Sequence, residues 1–150
     1  MEEIAEVWTV IRELLESQSL AVLSTQMSGR PYSNLIAFAA SGDLKDIVFA
    51  TPRASRKYAN LIAEPRVSLL IDNRSNQEAD FAQASAVTVL GTATEALDSD
   101  REKYLRLYLH KHPYLKEFVT APSCALMQVK TEKFIVVSRF QEVREIYPTS

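Results

Sequence analysis

FATPRASRKYANLIAEPRVSLLI, residues Phe49 to Ile71, governs how the rest of the chain is read. Two apolar runs of strand character enclose a short helical pattern of about nine residues, and the helix entrance carries Arg53, Arg56 and Lys57 around Ser55. Ser55 has the residue type of an N-cap, and Glu64-Pro65 closes the helix because the residue before a proline disfavours helical geometry. A helix N-terminus already presents unpaired amides and partial positive charge. Two further cations in the first turn oppose the helix dipole by roughly 0.3–1 kcal/mol each, so something should offset them. A phosphate monoester would do so through charge-assisted hydrogen bonds from Arg56, Lys57 and the Ser55 hydroxyl. Spacing alone leaves a second reading open: solvated charges on an exposed turn, paired with Glu64 or with acids elsewhere.

Upstream, residues 2–17 read as an amphipathic helix, with Ile4, Val7, Trp8, Ile11, Leu14 and Leu15 on one stripe. LAVLST (Leu20 to Thr25) reads as a strand. MSGRP supplies a turn at Gly29, and PYSNLIAFAA resumes as a second strand with Tyr32, Asn34, Ile36 and Phe38 on one face. After a turn at Ser41–Asp43, DIVFAT is the third strand and RVSLLID the fourth, with NRSNQEAD as a polar connection. SAVTVLGTATEAL reads as a long strand with a bulge or bend at Gly91. Ser99 and Glu102 have capping-box spacing and open a helix that places Tyr104, Leu105, Tyr108 and Leu109 on one side. Beyond His112-Pro113 and a short helical piece, CALMQVKT and KFIVVSRF are two more strands. This order predicts a predominantly β, antiparallel curved sheet or small barrel of about six strands with peripheral helices, in a single domain spanning residues 1–150.

The chain of 150 residues is 47% hydrophobic and 24% charged, a composition that suits a folded globular domain and not a disordered one. A net charge of −2 provides no broad basic field, so neither nucleic acid nor an anionic membrane is an expected partner, and any anion site must be local. Cys124 is the single cysteine, which excludes an internal disulfide and suits a reducing compartment. The acidic start at Glu2 and Glu3 is unlike a signal peptide, and no apolar run approaches the ~18 residues of a membrane span; the expected location is cytoplasmic. Three glycines leave no room for a glycine-rich phosphate loop.

The Phe49–Asp72 stretch resembles the flavin-phosphate segment of the pyridoxine/pyridoxamine 5′-phosphate oxidase superfamily of FMN-binding split β-barrels, in which a strand ending in Thr is followed by S-R-K, a short helix and N/E-P-R-V-S-L-L. GRPYSNLIAF is similar to the family strand that lies along the flavin ring, and VLGTATEAL to its strand with a central Gly and a following acid. The likeness runs from Leu20 to about Pro113. It implies that Arg56 and Lys57 hold the FMN phosphate with Ser55 and Thr51 nearby, Ala50 standing just before the Thr. It further implies that Ser33, Asn34, Leu35 and Ile36 run beside the isoalloxazine ring, and that two subunits of a homodimer share each FMN.

The pattern departs from the family's oxidases. Tyr108 stands at a tyrosine position of their pyridoxine-phosphate site, but His112 and Lys116 stand where Arg and Ser are expected, and the end VSRFQEVREIYPTS lacks the oxidase C-terminal motif. Ala86 falls where a partner-subunit glutamine is expected, with Gln83 or Ser85 as possible substitutes. The expected function is therefore an FMN-dependent oxidoreductase distinct from pyridoxamine 5′-phosphate oxidase, its substrate undefined. The alternative is a non-enzymatic carrier of flavin or haem on the same fold, and the deazaflavin F420 is a third cofactor open to it. No metal site is expected, since His110 and His112 suit a helix C-terminus as cations. Cys124 reads as a buried small hydrophobe, Tyr104 and Tyr108 as packing residues, and Arg139 either as a flavin-edge or a surface residue. No catalytic acid, base or nucleophile is assigned.

Overall fold

The computed structural model describes residues 2–139 and 142–149. Helix α1 (Glu2–Ser17) precedes the hairpin β1 (Leu20–Met27) and β2 (Arg30–Ala40), followed by β3 (Asp46–Pro52), α2 (Arg56–Ala63) and β4 (Arg66–Asp72). Then come α3 (Asp80–Gln83), β5 (Ser85–Glu95), α4 (Asp98–Lys111), a 3₁₀ turn at Pro113–Leu115, α5 (Lys116–Thr120), β6 (Cys124–Ser138) and β7 (Glu142–Ile146). All pairings are antiparallel. The order β3-β2-β1-β4-β5-β6 closes on itself through β3–β6, and β7 is appended beyond. The expected barrel of about six strands with peripheral helices is what forms.

Its geometry follows from alternation. Along β2, Tyr32, Asn34, Ile36 and Phe38 turn inward, while Ser33 and Leu35 are exposed. Phe38, Phe49 and Phe134 are fully buried among Leu23, Ile47, Leu69, Ile71, Val87 and Val89, and each such side chain removed from water contributes roughly 1.5–3 kcal/mol. Helix α1 stoppers this core with Ile11, Leu14 and Leu15, and Trp8 meets Phe134 edge-on at 5.5 Å. Ile4, placed on the same stripe by periodicity, lies past the edge of the core and is exposed. A second cluster forms outside the barrel, where Tyr104 and Tyr108 of α4 pack with Val48, Leu126 and Cys124.

Two turns carry specific chemistry. Ser28 and Gly29 link β1 to β2 in two residues with φ of 52° and 80°, the left-handed pair that a tight hairpin needs. At Gly91 the β5–β6 register shifts so that Leu90 faces Lys133 and Gly91 faces Thr131, leaving Glu132 over as a bulge. A Cβ at Gly91 would lie 2.5 Å from the Lys130 carbonyl oxygen, so this close approach excludes any side chain.

Three expectations are corrected. CALMQVKT and KFIVVSRF are one continuous strand, because the bulge lets β6 bend without breaking, although Phe140 lies outside the described residues. The segment Glu142–Ile146, not expected as a strand, pairs with the distal half of β6 as β7. Helix α4 starts at Asp98, one residue before Ser99, with no side-chain cap; Asp98 and Asp100 complement its dipole instead. NRSNQEAD is a polar connection as expected, pinched by the Asp80 carboxylate, which accepts from the Ser75 amide and hydroxyl and the Asn76 amide, before α3 begins at Asp80.

Among the described residues no helix is long and apolar enough to cross a membrane.

Candidate functional site

The barrel is split along one seam. β2 spans eleven residues, yet it pairs with β3 only through Phe38–Phe49, Ala39–Val48 and Ala40–Ile47. β3 pairs instead with β6 along its whole length, from Asp46–Lys130 to Pro52–Cys124. The first half of β2 thus has β1 on one side and no strand on the other. The Phe38 amide donates to Ser19 of the β1 side, so by the alternation of an antiparallel ladder the amides and carbonyls of Ser33, Leu35 and Ala37 face the open seam. The seam offers a row of unpaired backbone donors and acceptors.

Helix α2 stands at its mouth. Ser55 is its N-cap: the hydroxyl accepts from the Tyr58 amide at 3.1 Å and donates to the Pro52 carbonyl at 2.7 Å. That commits its single proton, so Thr51, fully buried, donates to Ser55 at 3.1 Å. The hydroxyl pair holds the β3–α2 turn and satisfies the Tyr58 amide, which leaves the Arg56 and Lys57 amides of the first turn uncapped. A phosphate bond from the Ser55 hydroxyl would have to displace the one to Pro52.

The three cations of the entrance part company. Arg53 Nη1 lies 2.7 Å from Glu95 Oε1. Arg56 is exposed and lies over the Tyr32 ring of β2, 5.5 Å from its centroid. Lys57 is half-buried, and burial holds its amine below the ordinary lysine range against the opposing influence of Cys124. Among the described residues neither Arg56 nor Lys57 forms an ion pair, and Glu64 is taken by Arg66 at 2.8 Å. The reading of these two as surface charges paired with acids therefore finds no partner here.

Between α2 and the hairpin lies a cleft of about 530 Å³, lined by Met27, Arg30, Pro31, Tyr32, Arg56, Ala59 and Asn60, a size that suits a small cofactor. Asn60 fastens α2 to β1 by donating from Nδ2 to the buried Thr25 hydroxyl at 3.0 Å. On β2, Asn34 Oδ1 is buried and accepts no hydrogen bond among the described residues, an acceptor whose desolvation is uncompensated. An unpaired strand edge, an orphaned amide oxygen and two unpaired cations at a capped helix N-terminus fit a planar, polar-edged ring that carries a phosphate.

Of the sequence-predicted residues, Arg56 lines this cleft, and the others lie on the two elements beside it. Ser33 to Ile36 lie on β2, with the Ile36 side chain buried in the core and its backbone turned to β1 opposite Ala21. Ala50, Thr51, Ser55, Arg56 and Lys57 lie on the β3–α2 side. Tyr32, Asn60 and the Arg53–Glu95 pair were not singled out as site residues, since each depends on contacts between segments far apart in sequence. His112 differs from its expectation: it is 1% exposed and donates from Nε2 to the Phe38 carbonyl at 2.7 Å, so it ties α4 to β2 and is no solvated cation. Cys124, Tyr104 and Tyr108 are buried as expected, and burial pushes the Tyr108 hydroxyl up to about 12 and the Cys124 thiol above its usual range. Arg139 is exposed and lies 3.7 Å from Glu142. Among the described residues no three His, Cys, Asp or Glu side chains gather as a metal site.

An antiparallel six-stranded barrel open along one seam, with peripheral helices, defines the class of split β-barrels. Within that class the chain belongs to the pyridoxamine 5′-phosphate oxidase family, whose model matches residues 7–147. It is 32% identical over 96 residues to a pyridoxamine 5′-phosphate oxidase homolog of Schizosaccharomyces pombe, a match that covers 57% of this chain and half of that relative's length. Among solved structures it is similar to a heme binding protein from Mycobacterium smegmatis (TM-score 0.81, 17% identity, 91% of this chain and 56% of that one). It is also similar to a FAD-binding protein from Mesorhizobium loti (TM-score 0.68, 20% identity, 86% and 90%). At these identities the structural likeness is one of fold.

Proposed function

We propose that the chain binds FMN in the seam and serves as a flavin-dependent oxidoreductase distinct from pyridoxamine 5′-phosphate oxidase. The observation that carries this reading is the pair Arg56 and Lys57 at the N-terminus of α2, for which no acidic partner occurs among the described residues. The helix supplies no acid of its own in its first turn, so the cost of two cations beside the dipole is left for a ligand to offset. In this reading Arg56, Lys57 and the first-turn amides hold the phosphate. The outward amides and carbonyls of Ser33 and Leu35 align the polar edge of the ring, with Asn34 Oδ1 as a further acceptor, and Ala50 and Thr51 form the facing wall.

Bound there, FMN supplies the hydride or electron transfer, and the protein supplies binding, orientation and exclusion of water. Two chains are proposed to share each cofactor. Leu20 and Leu35, 52% and 63% exposed on the uncovered face of the β1–β2 hairpin, are the surface a second copy would bury. The mass of the protein in solution tests this.

The test of the cofactor site compares FMN with riboflavin, which lacks the phosphate. The Arg56→Ala, Lys57→Ala double variant should lose about 100-fold in FMN affinity, as expected for two hydrogen bonds between charged groups, while riboflavin binding changes little. Equal losses for the two ligands would remove the phosphate assignment. Consumption of NAD(P)H with a range of acceptors separates an enzyme from a carrier.

A second reading, a carrier of flavin or haem, draws support from the heme binding protein of the same fold. His112, enclosed and hydrogen-bonded to Phe38, argues against haem ligation at that residue. Haem titration of the His112→Ala variant should match the parent.

A further inference from the structure

Glu95 ends β5 and lies far along the chain from the α2 mouth, yet its side chain reaches into it. Oε1 accepts from Arg53 Nη1 at 2.7 Å and from the Tyr58 hydroxyl at 2.9 Å. The Arg53 guanidinium also lies over the Tyr58 ring, 5.8 Å from its centroid. Tyr58 belongs to the first turn of α2, and its amide is the one that Ser55 caps. The carboxylate on the barrel wall therefore grips the same turn that carries Arg56 and Lys57.

The two ends of this grip differ in rigidity. β5 pairs with β6 along its whole length, Glu95 standing opposite Met127, and with β4 as far as Thr92, whereas α2 is eight residues long, too short to be stable without tertiary contacts. The Glu95 side chain is only 16% exposed and is shared by two donors, which lifts it above an ordinary surface ion pair. Arg53, the third cation of the entrance, is already paired with this carboxylate.

Taking the α2 mouth as the phosphate site, as proposed above, we infer that Glu95 is a positioning residue for it: it pins the first turn of α2 through Tyr58 and neutralises Arg53, so that the phosphate meets Arg56 and Lys57. Two cations then face a dianion, and the turn that carries them is fixed against the sheet.

The experiment measures FMN and riboflavin affinities of the full chain by flavin fluorescence, with a thermal melt for each variant. Glu95→Gln should weaken FMN binding about tenfold and riboflavin no more than about twofold, the loss expected when charge-assisted contacts stop fixing the turn. Tyr58→Phe should act in the same direction by about threefold, and Arg53→Gln should leave the FMN-to-riboflavin ratio within about twofold. Unchanged or tighter FMN binding in Glu95→Gln would overturn the inference, as would equal losses for both flavins, or an Arg53→Gln loss as large as that of the Arg56, Lys57 double variant. If Glu95→Gln does not fold, Tyr58→Phe decides, and an unaltered ratio there overturns it. A parent protein without preference for FMN over riboflavin sinks the phosphate reading itself; a preference lost in the double variant but kept in Glu95→Gln sinks only the role of Glu95.

Discussion

Lys57 and Lys111 are both half-buried, and burial depresses both amines, yet they sit in regions of opposite character. Lys111 ends α4 on the closed side of the barrel. Its Nζ donates to the Leu15 carbonyl at 2.8 Å, which serves the C-terminus of α1, and lies 3.9 Å from the centroid of the Phe38 ring. Every feature of that site is met from within the fold. Lys57 stands at the seam, where β2 lacks a neighbour and Asn34 Oδ1 lacks a donor, and among the described residues no carboxylate answers it. A sheltered cation with internal partners reads as architecture. One without them, beside unpaired backbone and a capped helix start, reads as half of a complex.

The contrast can be broken or sharpened by substitution on the two sides. Phe38→Ala should have the largest effect, a loss of about 4 kcal/mol in unfolding free energy, since the ring is fully buried and is also the platform for Lys111. A loss below about 1 kcal/mol in denaturant titration would deny that the closed side is tightly packed.

Next is the pH dependence of Lys111. Its folded pKa of about 8 lies below the value of about 10.4 expected for the unfolded chain, so between those pH values the unfolded chain holds the extra proton. Stability should therefore rise with pH across that window, by on the order of 2–3 kcal/mol relative to Lys111→Met. Parallel stability profiles for the two proteins would show that Lys111 is not held as described.

Ser55→Ala should cost the least, about 1 kcal/mol for a lost N-cap. Because the cap orders the turn that carries Arg56 and Lys57, it should lower FMN affinity more than riboflavin affinity. If flavin discrimination stays intact, cap and phosphate site are independent.

The local parts of this architecture were legible in the residues. The Ser55 cap, the Glu64-Pro65 stop, the Gly29 turn and the Gly91 irregularity each arise from what one side chain allows its own backbone to do. The inward stripe of Tyr32, Asn34, Ile36 and Phe38 follows from a period of two. The weaker local signals misled: the Ser99–Glu102 spacing was overridden by Asp98, and the break expected in β6 was absorbed by a bulge.

Cofactor-site candidates were legible as types, two cations behind a serine, but their meaning was not. Whether Arg56 and Lys57 have acidic partners depends on where Glu64 and Glu95 end up, and periodicity is silent on that. Glu64 turned to Arg66, Glu95 turned to Arg53 and Tyr58, and His112 went inward to a carbonyl of β2.

By itself the chain of residues determined the order of strands and helices, the faces they bury and the basic entrance of α2, because those depend on neighbours within a few positions. Only the tertiary structure decided that β3 leaves β2 for β6. That choice opens the seam, and it rests on pairing energies summed between segments more than seventy residues apart, such as Ala50 with Leu126.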